Sequence, residues 1–300
     1  MKATVQTLPA GILAERSRVA VFSDLIKARL TTLVLLTTLA GFYLGARGPI
    51  DLVAMTHALL GTALLASGAA ALNQLLERRQ DALMRRTSGR PLPAGHLRPE
   101  TVLAFGVACS VGGLVWLAFA ANPLTALIGA VTLGCYLFVY TPLKRVTWMN
   151  TLVGAIPGAL PPVMGWTAAR GELSAGGWAL FAILAFWQLP HFFAIAWMYR
   201  EDYARAGFQM LPAVDLDGRR MARLCVACTL VLLVASLGPF VLKLAGPFYL
   251  GSGLLLGIAF VAFAAQFART LSDAKARQLF FFSVLHLPLL LAALALDKVL

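Results

Sequence analysis

Asn73, Glu77 and Asp81 recur at intervals of four residues. At about 100° per residue, each step of four turns a helix by only about 40° net, so on a continuous helix the three side chains share one face. An amide and two carboxylates stacked this way can hold Mg²⁺ through a few oxygens and leave positions for substrate phosphate. Alone, the pattern is equally that of a polar helix end reaching solvent. Behind it come Arg85, Arg86 and Arg90, then Pro91-Leu92-Pro93. Guanidinium forks match phosphate oxygens. A basic cluster directly behind a metal-type acidic face points to a diphosphate and its Mg²⁺.

A second constellation is Trp187-Gln188-Leu189-Pro190-His191-Phe192-Phe193, followed by Glu201-Asp202-Tyr203. His191 and Asp202 are eleven residues apart. Three turns return nearly to the same face, so both can look into one cavity if the helix is continuous. An ionisable group about two turns inside an apolar segment is a functional candidate; a histidine satisfied by a neighbouring helix is the other reading. Tyr140-Thr141-Pro142-Leu143-Lys144-Arg145 is a short turn in which Lys144 and Arg145 could close over a phosphate. Cys225 and Cys228 put two sulfurs on one helix face, as weak metal or redox candidates or as small apolar filler. His57 and His286 lie in apolar runs without polar company, where packing is the simpler role.

These residues must be positioned by a membrane-embedded scaffold. Of 300 residues, 60% are hydrophobic and 13% charged, and the mean hydropathy is +0.80. Soluble chains carry about 25% charged residues. Nine runs free of Asp, Glu, Lys and Arg can be marked, at 30–46, 52–76, 101–121, 123–140, 146–169, 173–199, 224–242, 244–267 and 279–296. Each is near the roughly 20 residues that a helix needs to cross the hydrocarbon. The expected fold is an all-α integral membrane protein, a nine-helix bundle with two long cytoplasmic loops capping a central cavity. Residues 1–29 form a cytoplasmic N-terminal segment without the pattern of a cleavable signal, and 30–300 form one domain.

The net charge of +12 sits in short stretches between the apolar runs. That is the pattern of loops facing anionic lipid, and it argues against nucleic acid as a partner. With nine spans, 21 of the 25 Lys and Arg residues share a side with the N-terminus; only Arg47, Arg170, Lys243 and Lys298 lie opposite. The basic side is therefore expected to be cytoplasmic and the C-terminus external. The loops at 77–100 and 200–223 are 24 residues each, begin with acidic residues and contain Leu-Pro-Ala. This is a faint internal repeat or a coincidence of two loops. Span 5 carries Gly154, Pro157, Gly158, Pro161, Pro162 and Gly165. Its expected kink could line a cavity or serve close packing.

Taken together, the segments resemble the UbiA-type intramembrane prenyltransferase superfamily, and within it the branch that farnesylates haem. The matching text is Lys27-Ala28-Arg29-Leu30-Thr31, Asn73-Gln74-Leu75-Leu76-Glu77 through Asp81, Arg85-Arg86-Thr87 with Arg90-Pro91-Leu92, Tyr140 through Arg145, Asn150-Thr151 through Pro161-Pro162, and Trp187 through Asp202-Tyr203. The Trp-Gln-x-Pro-His-Phe segment is the most specific. The resemblance implies transfer of farnesyl from farnesyl diphosphate to a vinyl group of haem B, with addition of water, in a bacterial inner membrane. It implies Mg²⁺ on Asn73, Glu77, Asp81 and Asp202, and a diphosphate held by Arg86, Arg90, Lys144 and Arg145. His191 would contact the haem, which is a substrate and not a cofactor. Haem A synthase or oxidase-assembly proteins would be partners. Two departures stand out: Ala28 replaces a frequent proline, and the second acidic motif is reduced to Glu201-Asp202. Prenylation of an aromatic or quinone-precursor acceptor is the alternative from the same chemistry; a transporter is the alternative from a different class.

Overall fold

A computed structural model of the chain describes residues 17–215 and 217–299. Residues 1–16 of the expected N-terminal segment lie outside the described residues. Among the described residues, nine helices are long and apolar enough to cross a bilayer. Spans 1 to 9 are Ala28–Gly45, Leu52–Leu76, Pro99–Ala121, Pro123–Leu143, Asn150–Arg170, Ala175–Met198, Arg219–Val241, Pro247–Thr270 and Asp273–Leu296. Several extend beyond the charge-free runs. Span 7 starts at Arg219 and span 9 at Asp273, because a helix continues where a long or terminal charged side chain can reach the headgroup region. Starts are marked by side-chain caps: Asp51 accepts from the Val53 and Ala54 N–H groups at 2.9 Å, and Asn122 from Thr125 at 2.8 Å ahead of Pro123.

Span 5 is the central helix: 61% of an 18-residue apolar stretch of it is buried inside the protein, against 28% for the corresponding stretches of spans 2, 3, 4 and 8. It bends at Leu160, between Asn150–Ala159 and Pro161–Arg170. Its small residues sit at helix crossings. A Cβ on Gly165 would collide with the Thr38 carbonyl of span 1, and one on Gly41 with the Pro162 carbonyl. Gly154 lies against the Tyr140 ring and Gly158 against the Gln188 amide. Of the two roles open for the kinked helix, the glycines supply close packing.

A large apolar core joins spans 5 to 9 through Ala155, Ile183, Phe193, Leu232, Phe260 and Leu290. Cys225 and Cys228 are free thiols within it, and His286 is buried there against Phe260. Outward surfaces carry exposed Phe119, Phe138, Leu255 and Phe281, as lipid-facing helices do. The end of span 9 is tied to the end of span 1. Lys298 Nζ donates to the Tyr43 and Ala46 carbonyls at 2.7 and 2.9 Å, and Arg170 Nε donates to the Gly45 carbonyl at 2.7 Å. Two of the four cations on the sparsely charged side thus satisfy carbonyls at the end of span 1, and Arg47 pairs with Glu172.

Each long loop opens with a six-residue helix, Arg78–Leu83 and Arg200–Arg205. The preceding residues, Glu77 (φ −98°, ψ 7°) and Tyr199 (φ −113°, ψ 22°), interrupt the spanning helix. The loops pack on each other: Met84 of the first is buried with Ala206, Phe208 and Met210 of the second.

Candidate active site at the basic face

Asn73, Glu77 and Asp81 are all buried at the end of span 2. Gln74 anchors this end by donating to the Asp24 and Leu25 carbonyls at 2.9 and 2.8 Å, which holds the short helix Arg18–Leu25 against span 2. The helix is interrupted at Glu77, but the Asp81 N–H still donates to the Glu77 carbonyl at 2.8 Å, so the one-turn spacing survives. Each of the three polar groups meets a cation. Lys27 Nζ donates to Asn73 Oδ1 at 2.8 Å. Lys144 Nζ lies 2.8 and 3.1 Å from the two Glu77 oxygens. Arg90 donates to Asp81 Oδ2 at 2.6 Å.

Lys27 has a left-handed backbone (φ 50°, ψ 52°) immediately before span 1, which turns its side chain back toward span 2. Burial, reinforced by the neighbouring Arg90 and Lys144 charges, pulls its pKa down to about 7. Lys144 moves the other way: burial opposes its charge, but the neighbouring Tyr140 phenol and the hydrogen-bonded Glu77 carboxylate outweigh it and raise the pKa. Its ammonium also sits 4.5 Å from the Tyr140 ring centroid. A π-helical turn at Cys135–Tyr140 sets this end of span 4. It directs Thr141 so that its hydroxyl donates to the Tyr136 carbonyl at 2.8 Å and accepts from Asn73 Nδ2 at 3.1 Å.

The second loop closes on the same group. The Gln209 N–H donates to the Lys144 carbonyl at 2.7 Å, and Asn150 Nδ2 donates to the Gln209 carbonyl at 2.9 Å. Arg86 reaches the Tyr203 hydroxyl at 3.4 Å and lies over the Tyr199 ring. Asp202, on that loop, is buried and pairs with Arg205 at 2.8 Å.

Three expectations from spacing are corrected. Asp202 and His191 do not share a face of one continuous helix, because span 6 ends at Met198 and Tyr199 breaks the turn. His191 instead points to span 9: its Nδ1 is 2.7 Å from Ser283 Oγ, and its ring stacks between Trp187 and Phe280. Arg145 does not follow Lys144 inward; it is exposed and lines a shallow groove with Arg78 and Arg79. Lys27 and Thr141 are the site residues that spacing alone did not assign. Both stood in recognised motifs, but their partner Asn73 is 46 and 68 residues away.

The oxygen donors fit Mg²⁺, which takes one or two carboxylates and completes its shell with water and substrate phosphate. Among the described residues no three His, Cys, Asp or Glu side chains gather into an all-protein cage, and none is needed for that mode of binding. What the arrangement offers is hard oxygens and a ring of cations, buried at the mouth of an apolar bundle.

A sequence profile of the UbiA prenyltransferase family matches residues 34–285. The chain is 49% identical to a protein named protoheme IX farnesyltransferase from Solibacter usitatus, covering 92% of this chain and 98% of that one. A protein of the same name from Myxococcus xanthus is 45% identical over 93% of this chain and 96% of its own. Among solved structures, a digeranylgeranylglyceryl phosphate synthase superposes with a TM-score of 0.79 at 15% identity, covering 93% of this chain and 98% of that one. An Archaeoglobus fulgidus UbiA homologue bound to DMAPP and Mg²⁺ superposes with a TM-score of 0.67 at 18% identity, covering 91% and 99%. At those identities the structural likeness speaks for the fold.

Proposed function

The chain belongs to the UbiA prenyltransferase family, and from that premise we propose that it transfers the farnesyl group of farnesyl diphosphate to a vinyl group of haem B, with addition of water, to make haem O. The observation that carries this reading is the buried meeting of Asn73, Glu77 and Asp81 with Lys27, Lys144 and Arg90. It is supported by near-half identity, over almost the whole length, to proteins named for that reaction.

Asn73, Glu77, Asp81 and, from the facing loop, Asp202 are the residues that would hold Mg²⁺. Bound there, the ion would neutralise charge on the diphosphate leaving group. Lys27, Arg86, Arg90 and Lys144 offer donors to the same developing charge, and exposed Arg145 draws the anion toward the mouth. The apolar bundle keeps water from the allylic cation until the vinyl group has attacked. His191, between the Trp187 and Phe280 rings, is assigned to the haem side. The protein sits in the bacterial inner membrane with the basic face and N-terminus cytoplasmic and the C-terminus external, on the strength of the 21-to-4 charge count.

The test is mass spectrometry of haem after incubating purified protein with farnesyl diphosphate, haem B and Mg²⁺, with hydroxybenzoate as a parallel acceptor. Haem should gain one farnesyl group and one hydroxyl, the proton of the added water being released, and hydroxybenzoate should stay unmodified. Asp81→Asn and Asp202→Asn should abolish the product while leaving membrane insertion intact. Wild-type haem O formation by both variants would end the metal–diphosphate assignment.

A further inference from the structure

The start of span 7 and the end of span 8 meet at the same membrane face as the candidate site, but on the outside of the bundle. Between them runs an open furrow of about 760 Å³. Arg219, Arg223, Val226, Ala227 and Leu230 of span 7 line it, spaced as one helix face. Arg269, in the last turn of span 8, stands across from them. The furrow is graded along the membrane normal. Three guanidinium groups surround the end nearest the loops, and small or aliphatic side chains line the part that enters the hydrocarbon.

The charge there is not neutralised from within. Arg219 shares its charge with Asp217 at 3.3 Å, and both are well exposed. Arg223 and Arg269 have no carboxylate partner among the described residues, and no acidic residue lines the furrow. An occupant must therefore bring an anion at the interface and an apolar body below it. No His, Cys or Met lines the furrow, so it offers haem iron no ligand.

We propose that this furrow is a binding site for an anionic phospholipid, with the phosphate held by Arg219, Arg223 and Arg269 and an acyl chain laid along Val226, Ala227 and Leu230. Basic pockets between transmembrane helices collect anionic headgroups in this way, each cation near the surface contributing about 1 kcal/mol, or roughly fivefold in affinity. The site is independent of the prenyl-transfer reading. It staples spans 7 and 8 at the point where the second loop enters the membrane.

The experiment is native mass spectrometry of the full chain in detergent, titrated with dioleoylphosphatidylglycerol or dioleoylphosphatidylcholine. Wild type should retain the anionic phosphatidylglycerol in preference, and Arg223→Gln combined with Arg269→Gln should reduce that preference roughly tenfold or more. Ala227→Trp, which fills the furrow and leaves the charges, should also lose the adduct. Arg78→Gln combined with Arg79→Gln removes two exposed cations from the same face and should keep it. In lipid-free detergent all variants should keep wild-type melting temperatures, so that a lost adduct reports the site and not the fold. Equal retention of both lipids by wild type would overturn the proposal. So would an unchanged preference in the Arg223/Arg269 variant or an equal loss in the Arg78/Arg79 control. Displacement of the lipid by haem B, or a two-chain mass in place of lipid adducts, would assign the furrow to another occupant and overturn it as well.

Discussion

Lys144 and Arg145 are neighbours in sequence with different surroundings. Lys144 is held between Glu77 and the Tyr140 ring, whereas Arg145 faces outward beside Arg78 and Arg79. Removing a preorganised donor to developing charge costs about 10²–10³ in rate. Lys144→Gln should therefore lose that much turnover, while Arg145→Gln should alter the salt dependence of farnesyl diphosphate association and leave turnover within severalfold. Steady-state kinetics at low and high salt would tell them apart, and equal losses in both variants would contradict the inward–outward distinction. His191 and Arg90 divide in a second way. The histidine is tied to Ser283 on the span 6–span 9 seam, the arginine to Asp81. His191→Ala should impair haem use and spare farnesyl diphosphate binding, and Arg90→Ala should do the reverse, as titration of each substrate on purified variants would report. Equal loss of both substrates by His191→Ala, with a lowered melting temperature, would make the histidine a packing residue.

At the scale of elements, span 5 is positioned by backbone approach. Gly165 and Gly41 lie where spans 1 and 5 touch main chain to main chain, so an added side chain has no flexible neighbour to displace. Gly165→Leu should destabilise the bundle by at least the roughly 1–3 kcal/mol typical of overpacking. Gly112 in span 3 is exposed and has open space around its Cβ position, so Gly112→Ala should be neutral or stabilise by about 0.4–1 kcal/mol. Thermal unfolding in one detergent measures both. A Gly165→Leu protein as stable as wild type would remove span 5 from its central role. The interruptions at Glu77 and Tyr199 matter at this scale too. They let each spanning helix hand over to a short one, which carries Asp81 in the first loop and Asp202 in the second.

For the whole molecule, the proposed orientation rests on the basic residues. Three of the four on the sparse side already have structural work, Arg170 and Lys298 on carbonyls at the end of span 1 and Arg47 with Glu172. The exceptions to the charge asymmetry are therefore compatible with the rule. In a cysteine-free background, Ser88→Cys and Asp217→Cys should resist a membrane-impermeant maleimide in intact spheroplasts, and Glu172→Cys should react. Labelling of either loop position from outside would reverse the orientation or break the nine-span topology.

Composition and local spacing alone determined the number of spans, the sharing of charge between the two faces, and the presence of a carboxylate–guanidinium site at the end of span 2. Each is a property of consecutive residues: hydropathy is a sum along a segment, and side chains four apart share a helix face wherever the helix ends up. Only the tertiary structure decided which cation meets which oxygen. Lys27 reaches Asn73 across 46 residues and Lys144 reaches Glu77 across 67, and no local pattern encodes such distances. It also decided that His191 meets Ser283, and that one non-helical residue at Tyr199 takes Asp202 off the eleven-residue phase. And it chose packing for the glycines of span 5, since a kink is written in its own prolines but a crossing depends on the helix brought against it.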